Sequence, residues 1–361
     1  MTIGAPGRVA VVHVVAPKSA KTWFGHFAGL KDDNVVVIIG ESHEPLGVLI
    51  ARVEAHLPRA PRIVVVHSSH YTLERDRVLA AALESRGHCV FCQSSRCRHS
   101  GLDKIWMKRF FDANGFATSA WVDRRSPPAA WTRLRSQAGL GVVRKGRSGT
   151  EARGIRFSPT VAQHLGDDEF QEAFVDGVEY SIVAGRSGSY WVTFPPVWKG
   201  ATRRDLLPPY QRLRTCPHVS LDRDVELALR ETAREVATAL DCQGMIEVEV
   251  MLMDTAIVLL EVNPRIAGTM RLASLAARVP LFDWATTERS SGHLPAIGCA
   301  AEVPCEGTPF AAPVDLVYCT SRLTVGGSTF SEVIAKFHKL SASGVRIDPD
   351  QLHGLDAEML V

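Results

Sequence analysis

The sequence predicts an α/β protein in which a small open domain precedes a larger α+β body. Two observations carry this. Residues 8 to 100 alternate short β-branched runs with helical spacing, the order that builds a parallel sheet. From Met245 the pattern becomes strictly two-periodic: Ile246, Val248, Val250 and Leu252 fall on one strand face, Glu247 and Glu249 on the other. The 361 residues are 46% hydrophobic and 22% charged, enough for about two to three lobes with cores of their own. With 41 basic and 39 acidic residues the net charge is +2, which gives no reason to expect nucleic acid or a membrane surface as partner. No apolar run approaches the ~20 residues of a membrane helix. The N-terminus lacks the pattern of a signal peptide. A cytoplasmic protein with its eight cysteines reduced is therefore expected.

In chain order, Val9 to Val15, Val35 to Ile39 and Ile63 to Val66 are expected as buried parallel strands. Leu73 to Ser85 has helical spacing and Gly87 ends it. Ala16 to Thr22 closes on Lys-Thr after a strand, but lacks the glycines that let a backbone wrap phosphate. His67-Ser-Ser-His70 follows another strand, at the carboxyl edge where open α/β sheets place ligands, so a substrate role stays open. Cys89, Cys92, Cys97 and His99 invite a zinc reading. No second Cys-x-x-Cys pair exists, and small buried thiols in a strand at His88 to Gln93 are the better expectation. Asp103 is placed to cap a helix with apolar face Ile105, Phe110 and Phe111, ending near Asn114-Gly115. Residues 126 to 139 read as a connection. Gly141 to Arg144 is a strand running into Lys145, followed by the glycine-bearing run from Gly146 to Gly154. Phe170 to Val175 is a strand turned by Asp176-Gly177. Residues 186 to 220 read as a polar loop in which one of Lys199, Arg203 and Arg204 brings a cation to a phosphate. Asp222 to Leu240 is an amphipathic helix. Val314 to Val325, Thr329 to Leu340 and Gly344 to Ile347 read as strand, helix and strand of a small appended piece.

The chemistry concentrates after Met245. Asp254-Thr255-Ala256 supplies turn residues, and Ile257 to Val262 is the returning strand. A three-residue loop there sets Glu249 directly opposite Glu261, with Asn263 on the face of Glu261. Facing carboxylates repel. The pair reads either as a solvated polar face or as a cation site, and oxygen donors without Cys or His suit a hard ion such as Mg2+. Pro264 ends the strand, and Arg265 offers a planar donor fork for phosphate or carboxylate. Gly268 permits a tight backbone, and Thr269 is a plausible cap for a helix from Met270 to Ala277, whose N-terminus is a ready anion site.

Glu261-x-Asn263-Pro264-Arg265-x-x-Gly268 after Val248-Glu249-Val250 resembles the metal-binding end of the ATP-grasp superfamily. Asp103-Lys104-x-x-x-Lys108 with Asn114 to Thr118 is similar to its opening helix. Lys145 with Gly154 nine positions later resembles its strand, lysine and lid, and Gln171-Glu172-Ala173-Phe174-Val175 with Gly177 and Glu179 resembles its hinge. These matches span residues 101 to 274 in the superfamily's order. The resemblance implies two α+β lobes sandwiching ATP, preceded by the open α/β domain. It divides the chain into 1–100, 101–185 with the lid, 186–310 with the metal site, and 311–361. It implies Lys104 and Lys145 on the phosphates, Gly149 and Gly154 in the lid, Glu172, Ala173 and Val175 at adenine, and Glu179 at the ribose. Mg2+ or Mn2+, as two ions, falls to Glu249, Glu261 and Asn263, and an acylphosphate to Arg265 and the amides near Gly268. The activity implied is an ADP-forming carboxylate–amine ligase acting on small molecules, compatible with a homodimer. A carboxylase using bicarbonate and a non-catalytic ATP-binding module are the alternatives. Three departures stand out: Gly146 replaces the usual proline, Glu151-Ala152 replaces the serine pair of the ligase branch, and Glu247 stands where D-alanine ligases carry arginine.

Overall fold

The computed structural model describes residues 11–16, 35–41, 43–57, 63–149, 154–207, 211–254, 256–279, 291–306, 316–319 and 321–358. Most of the Ala16 to Thr22 run and the centre of the expected lid, residues 150–153, lie outside them.

The N-terminal sheet has the order β2-β1-β3-β4, with β1 Val11–Val15, β2 Val35–Ile39, β3 Ile63–His67 and β4 Cys89–Phe91, all parallel. Its β-branched runs are buried against α1 (Leu46–Ala55) and α2 (Leu73–Glu84). The first of these helices places Leu46, Leu49, Ile50 and Val53 on the core at helical spacing, whereas α3 (Ser95–Leu102) buries only Cys97 and Ser100 and has no apolar stripe. Cys97 and His99 sit on α3; Cys89 lies in β4 but is exposed rather than buried, and Cys92 falls just beyond the strand's end. Among the described residues no group of three or more His, Cys, Asp or Glu could hold a metal ion.

Helix α4 (Lys104–Ala113) starts where Asp103 dictates: its carboxylate accepts from the amides of Ile105 and Trp106, both at 2.9 Å. A four-stranded antiparallel sheet follows in the order β5-β8-β6-β7, built from β5 Trp121–Asp123, β6 Val142–Gly146, β7 Arg156–Ser158 and β8 Glu169–Ala173. Residues 126 to 139 are not a mere connection: Pro128–Gln137 forms α5, because a proline at the first helical position has its φ already set and no amide to lose.

The rest is one sheet of eleven strands whose main path runs β14-β13-β9-β11-β12-β16-β18-β17. These are β9 Val178–Ser187, β11 Val197–Ala201, β12 Arg214–Cys216, β13 Gly244–Met253, β14 Ala256–Asn263, β16 Cys299–Glu306, β17 Leu316–Cys319 and β18 Arg322–Gly327. Off this path lie β10 Tyr190–Thr193, β15 Gly292–His293 and β19 Arg346–Ile347. Three expectations change here. Strand β9 pairs with β13 from Val178 to Arg186, so hydrogen bonding runs through the boundary expected at 185. The polar loop expected over 186–220 contains three strands, β10, β11 and β12, because Val192, Phe194, Val197 and Cys216 supply a buried apolar face. The segment beyond 311 is not an appended piece: β18 pairs with β16, and α8 (Phe330–Ala342) closes a core over both with Val333 and Phe337. Helix α6 (Arg223–Ala239), capped by Asp222, and α7 (Met270–Ala277) pack into separate cores of this sheet.

The β13–β14 hairpin reaches the expected register by another route. The strands stop at Met253 and resume at Ala256, with Asp254 at φ 49°, and a bulge falls between Glu249 and Val250 on β13 and its partner. The residue assigned to the loop is instead spent in the bulge, and Glu249 still pairs with Glu261.

Candidate active site

A cleft of about 640 Å³ lies between the small sheet and the large one, with the N-terminal loop after β3 at its mouth. The residues that the resemblance assigns to ATP, the metal and the acylphosphate all line it except Gly149 and Gly154, which flank residues 150–153 at φ 128° and 77°. The opening of the expected lid is anchored: Lys104 N donates to Arg147 O at 2.8 Å, and Arg147 N to Asp168 O at 2.8 Å.

At one end, Ala173, Phe174 and Val175 meet Met251 and Leu260 in an apolar wall. Glu172 does not turn its side chain freely toward this end. It is buried and held between two lysines, pairing with Lys108 Nζ at 2.5 Å and with Lys145, while Ser119 Oγ donates to it at 2.6 Å. Burial opposes its ionisation, but the two ammonium groups outweigh burial and hold its carboxyl well below the usual range. Burial would likewise lower Lys145, yet Glu172 prevails and keeps it above its ordinary value. For fully buried Lys108 the balance reverses, and burial wins over Glu172.

At the other end the carboxylates of the hairpin meet cations from separate elements. Lys104, at the start of α4, pairs with Glu261 at 2.9 Å. Lys199, on β11, pairs with Glu249 at 3.0 Å and with Glu179. Of the three candidates Lys199, Arg203 and Arg204, Lys199 is thus the one buried among the carboxylates. Arg203 is exposed and pairs with Asp205, and Arg204 lies 5.9 Å over the ring of Phe157. Glu179 also faces Arg212 at 3.5 Å. The expected repulsion of Glu249 and Glu261 is therefore answered by two lysines. Burial would raise Glu249, but Lys199 holds its pKa down to about 2. Glu247 goes the other way, raised by burial and by Glu249.

Asn263 Nδ2 donates to Glu247 at 2.9 Å and to Glu249 at 3.2 Å, and its Oδ1 accepts from Arg265 Nη2 at 2.9 Å. Arg265 thus orients the asparagine. Thr269 begins α7 but does not cap it with its side chain; its hydroxyl donates to Glu247 instead. At Gly268 the approach is close: a Cβ there would come 3.1 Å from Arg322 Nη1, and that side chain would have to shift slightly. Arg322 belongs to a group not foreseen from sequence. Glu302, buried on β16, accepts from Arg271 at 2.6 Å and faces Arg214 at 3.2 Å and Arg322 at 3.3 Å. All three arginines line the cleft. Glu249, Glu261 and Asn263 fit a hard divalent cation: two carboxylates and an amide oxygen, with no sulfur or imidazole in the set.

A fold of two lobes closing on a lysine- and carboxylate-lined cleft defines the class. The chain has the ATP-grasp fold, and residues 124–269 match the ATP-grasp domain family. Carbamoyl-phosphate synthase of Methanobrevibacter smithii is 30% identical over 189 residues, which cover 49% of this chain and 49% of that protein. The match thus spans about half the length of that curated relative. Among solved structures, N5-carboxyaminoimidazole ribonucleotide synthetase from Thermus thermophilus superposes with a TM-score of 0.65 at 17% identity, covering 92% of this chain and 98% of that one. Biotin carboxylase from Campylobacter jejuni gives 0.65 at 14% identity over 93% and 86%. The biotin carboxylase domain of Hydrogenobacter thermophilus 2-oxoglutarate carboxylase, with MgADP, ADP and bicarbonate, gives 0.64 at 12% identity over 94% and 85%. No helix among the described residues is long and apolar enough to cross a membrane.

Proposed function

We propose that the protein is an ATP-dependent, ADP-forming ligase that joins a small-molecule carboxylate to an amine through an acylphosphate. The observation that carries this is the alternation of lysines and carboxylates, Lys145 with Glu172, Lys104 with Glu261 and Lys199 with Glu249, converging on one cleft from different elements. Lys104 and Lys145 neutralise phosphoryl oxygens. The backbone at Ala173 to Val175 takes the adenine, and Glu179, braced by Lys199 and Arg212, faces the ribose hydroxyls. Glu172 acts through its backbone at most; its carboxylate positions Lys145. Glu249, Glu261 and Asn263 would hold Mg2+ or Mn2+, which when bound would neutralise charge on the phosphates. A substrate carboxylate attacks the γ-phosphorus, ADP departs, and Arg265 with the amides near Gly268 holds the acylphosphate until an amine displaces phosphate. The protein contributes positioning and preorganised charge.

A second reading takes bicarbonate as the carboxylate, favoured by the fold's likeness to a carboxylase domain solved with MgADP and bicarbonate. One assay separates them. ADP and phosphate are measured with Mg2+, ATP and the twenty common amino acids, with and without bicarbonate. Amino-acid-dependent ADP release supports the ligase, and bicarbonate dependence supports the carboxylase. Release of AMP and pyrophosphate rules out both.

A further inference from the structure

The loop that leaves the N-terminal sheet reaches into this cleft. Strand β3 ends at His67, and the next residues cross to the large lobe. Ser68 O accepts from Ile266 N at 3.2 Å, which ties the loop to the residue after Arg265. Ser69 N donates to Thr72 Oγ1 at 2.9 Å, which fixes the other end. His70 lies between these two anchors and lines the cleft. Its Nδ1 is buried and has no hydrogen-bond partner. An unsatisfied buried polar atom is costly, and a loop that maintains one is a place to look for a ligand.

Lys104 at the start of α4, Glu261 of β14 and Arg265 line the same cleft and act electrostatically on His70, and the ring of Tyr71 lies edge-on at 5.3 Å. Burial first, then Arg265 and Lys104, lower its pKa from the ordinary 6.5; Glu261 opposes them. The imidazole is therefore neutral near pH 7. Lys104 and Arg265 are already cations, and Glu261 is engaged by Lys104. Among these neighbours only His70 is both uncharged and able to accept a proton.

We propose that His70 accepts the proton released by the amine that attacks the acylphosphate. This rests on the ligase reading. An aliphatic amine arrives in neutral water as an ammonium ion, whose nitrogen has no lone pair. His70 takes one proton and becomes imidazolium. The freed pair forms the C–N bond, and the acyl C–O bond to phosphorus breaks with its electrons leaving on phosphate. The nitrogen's second surplus proton goes to that phosphate, and His70 returns its own to solvent. No oxidant, reductant or further reactant is needed.

The test uses full-length protein with Mg2+, ATP and the twenty common amino acids, which serve as both carboxylates and amines. Hydroxylamine, uncharged at neutral pH, is the probe nucleophile that needs no base. For His70→Ala and His70→Gln we expect hydroxamate formation within about twofold of wild type. Amide formation should fall by about 10² at pH 7, in the range of general-base catalysis. That deficit should shrink as pH rises toward the amine's own pKa. Unchanged amide formation overturns the proposal. So does a parallel fall in hydroxamate and amide, which would mark a residue of the ATP half-reaction or of the fold, and so does a deficit independent of pH. If wild type forms no hydroxamate while still releasing ADP, the acylphosphate reading itself fails and the role of His70 with it.

Discussion

Replacing Glu172 by Gln removes the charge that allows Lys108 to be buried. The carboxylate sits between Lys108, wholly buried, and Lys145. Breaking a buried ion pair by deleting one partner costs about 3–5 kcal/mol, because the other charge is left uncompensated. Lys108 has one escape, which is to lose its proton. From an ordinary pKa of about 10.4, neutralising it at pH 7 costs about 1.4 kcal/mol per unit, which caps the penalty near 5 kcal/mol. Unfolding entropy of about 2.1 cal/mol/K per residue over 361 residues converts a loss of about 4 kcal/mol into a Tm fall of roughly 5 °C. The sign of the pH effect follows. The variant's folded state binds fewer protons than its unfolded state below the ordinary lysine pKa, so its stability rises with pH. Calorimetric scans at pH 7 and 9 should show the gap to wild type narrowing. The double variant Glu172→Gln with Lys108→Met removes both charges and should regain most of the loss. A Tm fall under about 1 °C, or one equal at both pH values, would refute the reasoning.

Three further outcomes are expected. Glu261→Gln should abolish turnover yet lower stability by under about 1 kcal/mol, since its pair with Lys104 is partly exposed; a large Tm loss would make it a structural ion-pair partner instead. Arg265→Lys preserves charge but loses the fork that orients Asn263, so kcat should fall by about 10²–10³ with nucleotide affinity by calorimetry little changed. Glu249, held down to about pKa 2, contributes stability present above its ordinary value of 4.5 and lost as pH falls through about 2. Lys199→Met should flatten that acid limb between those values, by a contribution on the order of 3 kcal/mol. Acid titration of Tm that is identical in the two proteins would show that Lys199 does not set the Glu249 pKa.

The parts of this site legible in sequence were those fixed by local rules. Strand alternation puts Glu247 and Glu249 on one face, and the turn residues mark the hairpin, but the Glu249–Glu261 register also needs the bulge, which no local signal encodes. Short-range capping starts α4 at Asp103 and α6 at Asp222. What was not legible depends on pairings between distant strands. Lys199 could be named as one of three candidate cations, but its place among the carboxylates follows from β11 lying beside β9, which no local period encodes. Glu302 and Arg322 meet through the β16–β18 pairing, inside a segment that alone reads as an appendage. Helices α3 and α5 bury few strongly apolar side chains, so their helical period is faint, whereas α1 does carry it, with Leu46, Leu49, Ile50 and Val53 packed on the core.

The same charge pattern explains why Glu249 and Glu261 tolerate each other. An isolated carboxylate or ammonium in such a cleft has a large desolvation cost, and a lone buried charge would shift its pKa and neutralise. Here each carboxylate is matched to a lysine brought by another element: Glu172 to Lys145, Glu261 to Lys104, Glu249 to Lys199. Folding thus meets most of the desolvation cost, and Lys145 and Lys199 stay protonated despite burial. On the ligase reading, phosphate oxygens then exchange one anionic partner of a lysine for another rather than stripping water from a bare ammonium. That is electrostatic preorganisation, and it predicts that truncating any one carboxylate harms its paired lysine as well. Glu261→Ala and Lys104→Ala should therefore be strongly non-additive in kcat, the double variant losing little more than either alone. Independent, multiplying losses would mean that the two side chains serve the reaction separately and that their pairing is incidental.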